Sequence, residues 1–227
     1  MKPEPPVTKT VAMPGLLTKY DGRYIYDVRY STHMARAKSD SRVKIVESAR
    51  ALLCRQGYHG TGLAQILEKS GAPRGSTYFL FPGGKEEIAV EAVHAATRDA
   101  IELIRQTRRD SRTAAEWISR MSEHFAAHLE RSGFSEGLPV TTVTLDSVPA
   151  SHALSKACRE AYESWVDELE QGLVSYGVEP ANAKGLATLA LATLEGGMVL
   201  ARACQSVEPL ELLKQHIVTL LPCVDDA

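Results

Sequence analysis

The fold is decided by residues 57–81, which read GYHGTGLAQILEKSGAPRGSTYFLF. Apolar residues at helical spacing follow Thr61, which can cap a helix, and Gly71 ends this helix after about two turns. Pro73 suits the start of a third helix over 74–80, because proline lacks the N–H that would be unsatisfied there anyway. Two short helices joined by a tight turn are typical of a helix-turn-helix unit when another helix covers their apolar face.

The flanking residues supply the covering helix and predict helices throughout the rest of the chain. Ser39, Asp40 and Ser41 are candidate caps, and apolar residues recur at helical spacing behind them until Gly57. Further helices, separated by glycine and proline breaks, are predicted over 85–108, 113–131, 140–146, 153–176, 180–204 and 209–221. No β-alternation of useful length is found, so we predict an all-α fold with a small N-terminal module and a larger helical bundle.

The composition is that of an ordinary soluble globular protein, with 227 residues, 44% hydrophobic, 24% charged and 6% aromatic. No uninterrupted apolar run reaches the length of about 18 residues that spans a bilayer, and no export signal precedes the first helix, so a cytoplasmic protein without membrane contact is expected. The four cysteines lie far apart without a C-x-x-C pair, which indicates reduced thiols; they are Cys54, Cys158, Cys204 and Cys223.

The net charge of −2 conceals an asymmetry along the chain. Residues 1–33 contain five Lys/Arg and three Asp/Glu, residues 34–90 contain nine and five, and residues 91–227 contain twelve and twenty. A basic N-terminal part joined to a larger acidic part indicates that the first part meets a polyanion.

Residues 1–38 are predicted to form a mobile N-terminal arm or extension, because three prolines in the first six positions precede a segment with no sustained apolar period. In one interpretation residues 1–33 lie upstream of a start at Met34, which leads directly into a helix signal. In the other, a basic arm lies along a nucleic-acid groove, as homeodomain arms do.

Three segments resemble the TetR/AcrR family of bacterial repressors: Gly57-Tyr58-His59-Gly60-Thr61-Gly62-Leu63 followed by Ile66, Gly71-Ala72-Pro73-Arg74-Gly75-Ser76-Thr77-Tyr78-Phe79-Leu80-Phe81, and Lys85-Glu86-Glu87. The insertion Pro82-Gly83-Gly84-Lys85 and the short helix after Gly137-Leu138-Pro139-Val140 resemble the LmrA/YxaF branch. The motif covers about residues 40–90, and the rest of the chain is similar in helix number, order and length. The resemblance implies a DNA-binding repressor.

The third helix is the candidate recognition helix, which must reach phosphates and base edges. Arg74 can pair bidentately with guanine, and Gly75 permits close approach of the backbone. Ser76 and Thr77 offer short hydroxyl groups and a methyl group for thymine, and Tyr78 offers a phenol to phosphate.

Further phosphate contacts are predicted outside this helix at Arg42, Thr61, Gln65 and, by the resemblance, Lys85. Phe79 and Phe81 are expected to be core residues of the module. Two positions depart from the family pattern: Pro73 stands where a serine commonly caps the recognition helix, and Leu80 stands where a histidine often precedes the terminal Phe.

Catalytic motifs are not found, so we predict neither an enzyme nor a cofactor. The sequence contains no Gly-x-Ser-x-Gly elbow and no paired-glycine dinucleotide fingerprint. His124 and His128 share one helical face, but Phe125 stands where a zincin needs Glu, so two ordinary histidines are favoured over a metal site.

The last two long helices are predicted to form a homodimer as a four-helix bundle. Helix 180–204 carries small residues that let a partner helix approach closely, namely Ala181, Ala183, Gly185, Ala187, Ala190, Ala192, Gly196, Gly197, Ala201 and Ala203. The larger apolar residues of the two helices are Leu186, Leu189, Leu194, Val199, Leu210, Leu213, Ile217 and Leu220. The alternative is burial of the same face within one chain.

Two stripes of aromatic and polarizable side chains are predicted to bind an effector. One comprises Trp117, Met121, Phe125 and His128, and the other comprises Cys158, Tyr162, Trp165 and Leu169. Such a lining, with His124, His128 and Tyr162 as polar handles, suits a flat, mostly apolar molecule, and the resemblance implies flavonoid-like or drug-like compounds. The alternative is that both stripes are filled core.

The predicted function is that of a ligand-responsive, DNA-binding transcriptional regulator, a homodimeric repressor released from double-stranded operator DNA by a small apolar effector. The predicted domains are the arm 1–38, the helix-turn-helix domain 39–84, and the ligand-binding and dimerisation domain 85–227. The alternative function is a helical small-molecule carrier or enzyme with a structural N-terminal module.

Overall fold

The computed structural model describes residues 17–20, 23–26, 28–217 and 219, with side chains over 40–73, 75, 77–216 and 219. Contacts divide the chain into two units, Met1–Val43 and Lys44–Ala227. The second unit contains both the helix-turn-helix and the helical bundle.

The first unit contains a β-hairpin that the sequence reading did not predict. Strand β1 (Leu17–Tyr20) pairs antiparallel with β2 (Arg23–Tyr26). Asp21-Gly22 in the intervening sequence is a common hairpin signal. Helix α1 begins at Val28, well before the expected Ser39. That residues 1–38 form a mobile arm or extension stays a prediction, and residues 1–16, 21, 22 and 27 of this segment lie outside the described residues.

Within the helix-turn-helix, the predicted break at Gly57, the end of the second helix at Gly71 and the third helix over 74–80 are confirmed. Helix α1 (Val28–Gly60) is interrupted at Gly57, whose φ of 67° lies in the left-handed region that favours glycine. Helix α2 (Leu63–Ser70) ends at Gly71, which has a φ of 65°. Helix α3 (Arg74–Leu80) follows Pro73.

The cap of α2 differs from the prediction. The Thr61 hydroxyl donates to the Gly57 carbonyl at 2.6 Å instead of accepting from the helix. Gly62 occupies the cap position, and its N–H donates to Oε1 of Gln65 at 2.9 Å. The N–H at the start of α2 is thus hydrogen-bonded by a side chain from the first turn of the same helix.

Up to residue 217 the structure describes six further helices: α4 (Gly84–Arg109), α5 (Ala114–Arg131), α6 (Pro139–Ser147), α7 (His152–Ser175), α8 (Pro180–Cys204) and α9 (Glu208–Ile217). Thr113 caps α5 by accepting from the Glu116 N–H, and Ser151 caps α7 by accepting from the Leu154 N–H, each at 3.1 Å. The predicted helical bundle is confirmed.

One continuous core joins the helix-turn-helix to the bundle within the second unit. We call the part of the helix-turn-helix from Lys44 to Leu80 the reading head. Its residues Ile45, Leu53 and Ile66, together with Ile88 of α4, are fully or almost fully buried in this core. Helix α4 packs against α5, α6 and α7, and Glu168 of α7 accepts two hydrogen bonds from Arg105 of α4. Helix α4 therefore extends from the reading head into the bundle.

Helix α8 is long and apolar enough to cross a membrane by length and composition. Its face of small residues, including Ala183, Ala187, Ala190 and Ala201, is nevertheless buried within the chain. The helix packs against α5, α7 and α9. This packing is typical of a core helix in a helical bundle.

Candidate nucleic-acid interface and ligand cavity

Helix α3 presents aromatic side chains to solvent. Tyr78 and Phe79 are 66% and 69% exposed, whereas Thr77 and Phe81 are fully buried. Phe79 lies two positions beyond Thr77, which places it on the opposite side of a helix with 3.6 residues per turn. The prediction that Phe79 is a core residue is therefore wrong, and the same prediction for Phe81 is confirmed.

Two predicted DNA contacts point inward. Thr61 is 1% exposed and donates its hydroxyl to the Gly57 carbonyl. Thr77 is fully buried, and its hydroxyl lies 3.4 Å from the Pro73 carbonyl oxygen. Buried hydroxyl groups need such internal partners. Thr61 and Thr77 are thus core residues of the module, which corrects their predicted role as contacts.

Gln65 and Lys85 stabilise the geometry of the reading head. Gln65 is exposed, and its Oε1 accepts from Gly62 and, at 3.0 Å, from Nε2 of Gln56. The Nζ of Lys85 donates to the Tyr58 carbonyl at 2.9 Å and lies 4.0 Å from the centroid of the Tyr58 ring. Partial burial lowers the pKa of Lys85. A phosphate would have to replace these internal partners.

Four predicted DNA-binding residues remain, namely Gly75, Arg42, Arg74 and Ser76. Gly75 lies in open space, since a Cβ built on it would meet nothing within 4 Å. Arg42 is half-buried on α1 in the first unit. The side chains of Arg74 and Ser76 lie outside the described residues. Their contacts stay predictions.

An apolar cavity of about 80 Å³ lies within the bundle, lined from α4 to α8. Four of the predicted effector residues line it: Met121, Phe125, Trp165 and Leu169. The indole N–H of Trp165 donates to the Thr97 carbonyl at 3.3 Å, which fixes the ring. The other lining residues are Ala96, Ala100, Leu103, Ile104, Leu138, Pro139, Val140, Leu191, Leu194 and Glu195.

A second, more open chamber of about 310 Å³ adjoins this cavity, because Ala96, Ala100, Leu103, Phe125, Leu138 and Pro139 line both. Arg50 and Asp99, which form an ion pair, line the second chamber together with His124 and His128. Burial lowers the pKa of both histidines, which favours neutral imidazoles at pH 7. The combined space is in the range of small-molecule sites. His128 therefore belongs to the second chamber.

Trp117 is a core residue, which corrects its predicted role in effector binding. Its side chain is fully buried, and its indole N–H donates to the Ile104 carbonyl at 3.0 Å and to Oγ1 of Thr107 at 3.1 Å. It is not among the residues that line the two chambers. The alternative of filled core is right for this position.

Cys158 and Tyr162 also lie outside the linings of both chambers. Cys158 is 2% exposed, with its Sγ 3.9 Å from the Val140 carbonyl oxygen. The Tyr162 ring packs edge-on against Trp165 at 5.3 Å between centroids, and its hydroxyl donates to Oγ1 of Thr141 at 3.4 Å. Both residues support the cavity wall, which corrects their predicted direct contact with the effector.

Sequence analysis missed Glu195, the one charged residue between Lys184 and Arg202. The structure places it in the lining of the apolar cavity. Burial raises the pKa of its carboxyl group. A single carboxylate in a long apolar helix is the signal that could have identified it, because unpaired acids are almost never fully buried.

The segment around α6 connects the cavity to the C-terminal end of α1. Pro139 and Val140 at the start of α6 line the cavity. Three hydrogen bonds join this segment to α1. Gly137 N–H donates to the Cys54 carbonyl at 2.9 Å, Thr142 Oγ1 donates to the Leu53 carbonyl at 2.8 Å, and His59 N–H of α1 donates to Oδ2 of Asp146 at 3.1 Å. The segment around α6 thus contacts both the cavity and α1.

The outward face of α8 carries an apolar stripe. Leu189, Val199 and Leu200 are 43%, 51% and 55% exposed, and Leu212 of α9 is 48% exposed. The exposed small residues Ala181, Gly185, Ala192, Gly196 and Ala203 lie along the same stripe. Residues 183, 187, 190, 194, 197, 198 and 201 form the opposite, buried face. Helix α8 thus buries one apolar face within the chain and exposes another.

Comparison with known proteins connects both parts of this structure to a family. Residues 45–92 match the family described as bacterial regulatory proteins, tetR family, and residues 114–216 match the transcriptional regulator LmrA/YxaF-like, C-terminal domain. The HTH-type transcriptional regulator LmrA of Bacillus subtilis strain 168 is 38% identical over 187 residues, which are 81% of this chain and 95% of LmrA. The chain belongs to the TetR family. The resemblance to its LmrA/YxaF branch is confirmed.

Solved structures show the same fold. A TetR transcriptional regulator from Chloroflexus aurantiacus J-10-FL is 25% identical, with a TM-score of 0.70 over 81% of this chain and 95% of that chain. The TetR family regulator CifR, solved as a cysteine mutant with 26-bp double-stranded operator DNA, is 21% identical, with a TM-score of 0.68 over 79% of this chain and 95% of that chain. The chain is thus a TetR-family DNA-binding transcriptional regulator and not an enzyme.

Proposed function

We propose that this regulator is a homodimeric, ligand-responsive repressor that a small, largely apolar effector releases from its operator. The observation that supports it most is the cavity enclosed by α4 to α8, together with the hydrogen bonds from α6 to the reading head. A site for a small molecule and a site for DNA then share one packed unit. As a soluble regulator of DNA it would act in the cytoplasm without a membrane partner.

The test is a mobility-shift titration of the purified chain with DNA from upstream of its own gene, with random DNA of equal length as the control. A repressor should shift its own upstream DNA preferentially and lose the shift when an effector is added. A carrier with a purely structural N-terminal module should show no such preference, and equal affinity for both DNAs would contradict the proposal.

Recognition is proposed to proceed through α3 in the major groove, with the exposed aromatic surface of Tyr78 and Phe79 beside the phosphates. We expect Arg74→Ala to cost about 1 to 3 kcal/mol of binding free energy and to relax specificity at one base pair. We expect Tyr78→Phe to weaken binding to all sequences nearly equally, because a phosphate contact carries no sequence information.

Selection of bound fragments from a randomised operator library measures both effects. Sequence-independent losses of equal size in the two variants would contradict the assignment of Arg74 to a base edge. Thr61→Val serves as a control for the corrected assignment, because the Thr61 hydroxyl is internal and its loss should leave the sequence preference unchanged.

The effector is proposed to be a flat, mostly apolar molecule, flavonoid-like or drug-like as the resemblance to the LmrA/YxaF branch implies. Phe125, Trp165 and Met121 supply aromatic and polarizable walls for such a molecule. A thermal-shift and DNA-release screen of planar aromatic compounds on the wild type and on Trp165→Ala tests this site. Hits that bind both proteins equally would place the site elsewhere.

Coupling to DNA is proposed to run through α6 as well as through α4. A ligand changes an equilibrium only through its different affinities for two conformations, so it must favour a spacing of the reading heads that DNA does not accept. Residues at the start of α6 contact the cavity, and Thr142 contacts α1.

We expect Thr142→Val to raise the effector concentration for half-release of DNA about two- to tenfold, because the variant loses a neutral hydrogen bond to the Leu53 carbonyl. DNA affinity without effector should change little. A hit from the screen is the probe, and release is followed by fluorescence anisotropy. Thr188→Val is the matched control, since its hydroxyl donates only within α8, to Lys184. Equal shifts in both variants would contradict coupling through α6.

A further inference from the structure

The apolar cavity contains one charged side chain among its described lining residues, and this is Glu195. The other lining side chains are aliphatic, aromatic or thioether groups. No lysine or arginine is among them to neutralise a carboxylate. A charge in such surroundings is costly unless a partner accompanies it.

The two oxygens of Glu195 have different surroundings. Oε2 accepts a hydrogen bond from the Thr141 hydroxyl, which in turn accepts from the Tyr162 hydroxyl at 3.4 Å. Both hydroxyl groups can therefore direct their protons toward the carboxylate, which suits an acceptor at position 195. Burial raises the pKa of Tyr162 to about 12, so its hydroxyl stays a donor.

Oε1 of Glu195 is shut off from solvent and has no hydrogen-bond partner among the described residues. A bound water needs two to four polar partners, and the apolar side chains around the cavity supply none besides Glu195. A donor that brings its own apolar body would satisfy the oxygen and fill the cavity at once. The unsatisfied atom thus indicates the kind of ligand the cavity takes.

The aromatic rings in the same cavity favour a charged donor over a neutral one. Phe125 and Trp165 both line it, and the faces of aromatic rings attract cations. A carboxylate and two aromatic rings together are complementary to a protonated amine carried on an apolar group. An anion would meet an unfavourable charge at Glu195.

We propose that the cavity selects lipophilic cations, with Glu195 as the counter-ion of an ammonium group and Phe125 and Trp165 as the walls around the apolar body. This inference rests on the proposed function only in that it uses the proposed effector site. Of the two proposed effector classes it favours drug-like molecules that carry a protonated amine over flavonoid-like molecules, which have no amine.

Isothermal titration calorimetry with three probes of one shape tests the proposal: 2-naphthylmethylammonium, the neutral 2-naphthalenemethanol and the anionic 2-naphthoate. The wild type is expected to bind the ammonium about tenfold or more tightly than the alcohol, and the anion most weakly. Glu195→Gln retains the shape of the side chain and is expected to lose about tenfold in affinity for the ammonium but little for the alcohol.

Glu130→Gln, a neutralisation at an exposed site on α5, is the matched control and should bind all three probes as the wild type does. Retained affinity for the alcohol shows that the Glu195→Gln cavity is intact. Equal affinity of the wild type for alcohol and ammonium, an unchanged ammonium affinity in Glu195→Gln, or failure of all three probes to bind would each overturn the proposal. Because the titrations contain no DNA, such a result leaves the operator-binding test of the proposed function unaffected.

Discussion

Trp117→Ala is expected to lower the free energy of unfolding by about 3 to 5 kcal/mol, the range for removing a large buried aromatic side chain. Trp117 is fully buried, and the variant would also leave the Thr107 hydroxyl without its indole partner. Trp165→Ala should cost less, because Trp165 lines an existing cavity. Urea unfolding at equal protein concentration measures both losses. A loss at Trp117 no larger than the loss at Trp165 would contradict this assignment.

A substitution at Gly172 tests the packing around Trp117 independently. A Cβ built on Gly172 would lie 2.1 Å from Cη2 of Trp117, so alanine at this position must displace the indole. We expect Gly172→Ala to lose about 1 to 3 kcal/mol even though alanine favours helices over glycine. Gln171→Ala on the exposed side of α7 is the control for alanine in this helix.

A double-mutant cycle separates the clash from a general weakening of α7. In a Trp117→Phe background the ring is smaller, so Gly172→Ala should cost less there than in the wild type. The same cost in both backgrounds would show that the clash does not determine the stability of this region.

The sequence was most informative where glycine and proline mark the ends of helices. Gly57 and Gly71 readily adopt the left-handed φ that interrupts or ends a helix, and Pro73 lacks the N–H that a continuing helix would use. The structure breaks or starts helices at each of these positions. The N-terminal hairpin was missed because its strands are four residues each, too short for an alternating pattern to stand out.

The orientation of side chains on α3 was less predictable. The helix has seven residues, so a periodic pattern has too few positions to decide which aromatic residue is buried. Phe79 was consequently assigned to the core, although the 3.6-residue turn places it opposite the buried Thr77. The buried face of so short a helix can be assigned only when the positions of the neighbouring helices are known.

The effector site shows a further limit of periodicity. The stripes containing Trp117 and Trp165 have the same kind of spacing and both are buried, yet only Trp165 lines the cavity. Spacing predicts which face of a helix is covered, but whether the covering atoms fill the space depends on distant residues such as Gly172. Glu195 was missed because the pattern of α8 was interpreted only as a dimerisation surface.

Dimerisation through α8 and α9 stays a prediction, and the structure refines which residues should carry it. Leu210 is fully buried within its own chain, and Leu213 packs so closely on α8 that a Cβ on Gly197 would lie 2.6 Å from its Cδ1. Leu213→Glu would therefore disturb folding as well as assembly. The Ile217 side chain and Leu220 lie outside the described residues. The exposed Leu189 and Leu200 are the better test positions.

Leu189→Glu combined with Leu200→Glu is expected to produce monomers and to reduce operator affinity by about two to four orders of magnitude. The two positions are eleven residues apart, close to three helical turns, so both charges would lie on the same side of α8 within the apolar stripe. Burying four unpaired carboxylates between two copies costs far more than the interface can recover. A monomer then binds each half-site alone and loses the effective concentration that linking two reading heads provides.

Sedimentation equilibrium gives the mass, and a mobility shift with the full operator gives the affinity. Val174→Glu is the matched control, since Val174 is 40% exposed on α7 and lines a surface pocket only with other residues of α7. The control should remain dimeric with unchanged operator affinity, and all proteins should have the same helical circular dichroism. A double variant that stays dimeric would place the interface on another surface. Two adjacent major grooves lie roughly 34 to 36 Å apart, and only a pair of linked reading heads can occupy both. A double variant that becomes monomeric but retains full operator affinity would therefore show that recognition does not use two linked reading heads.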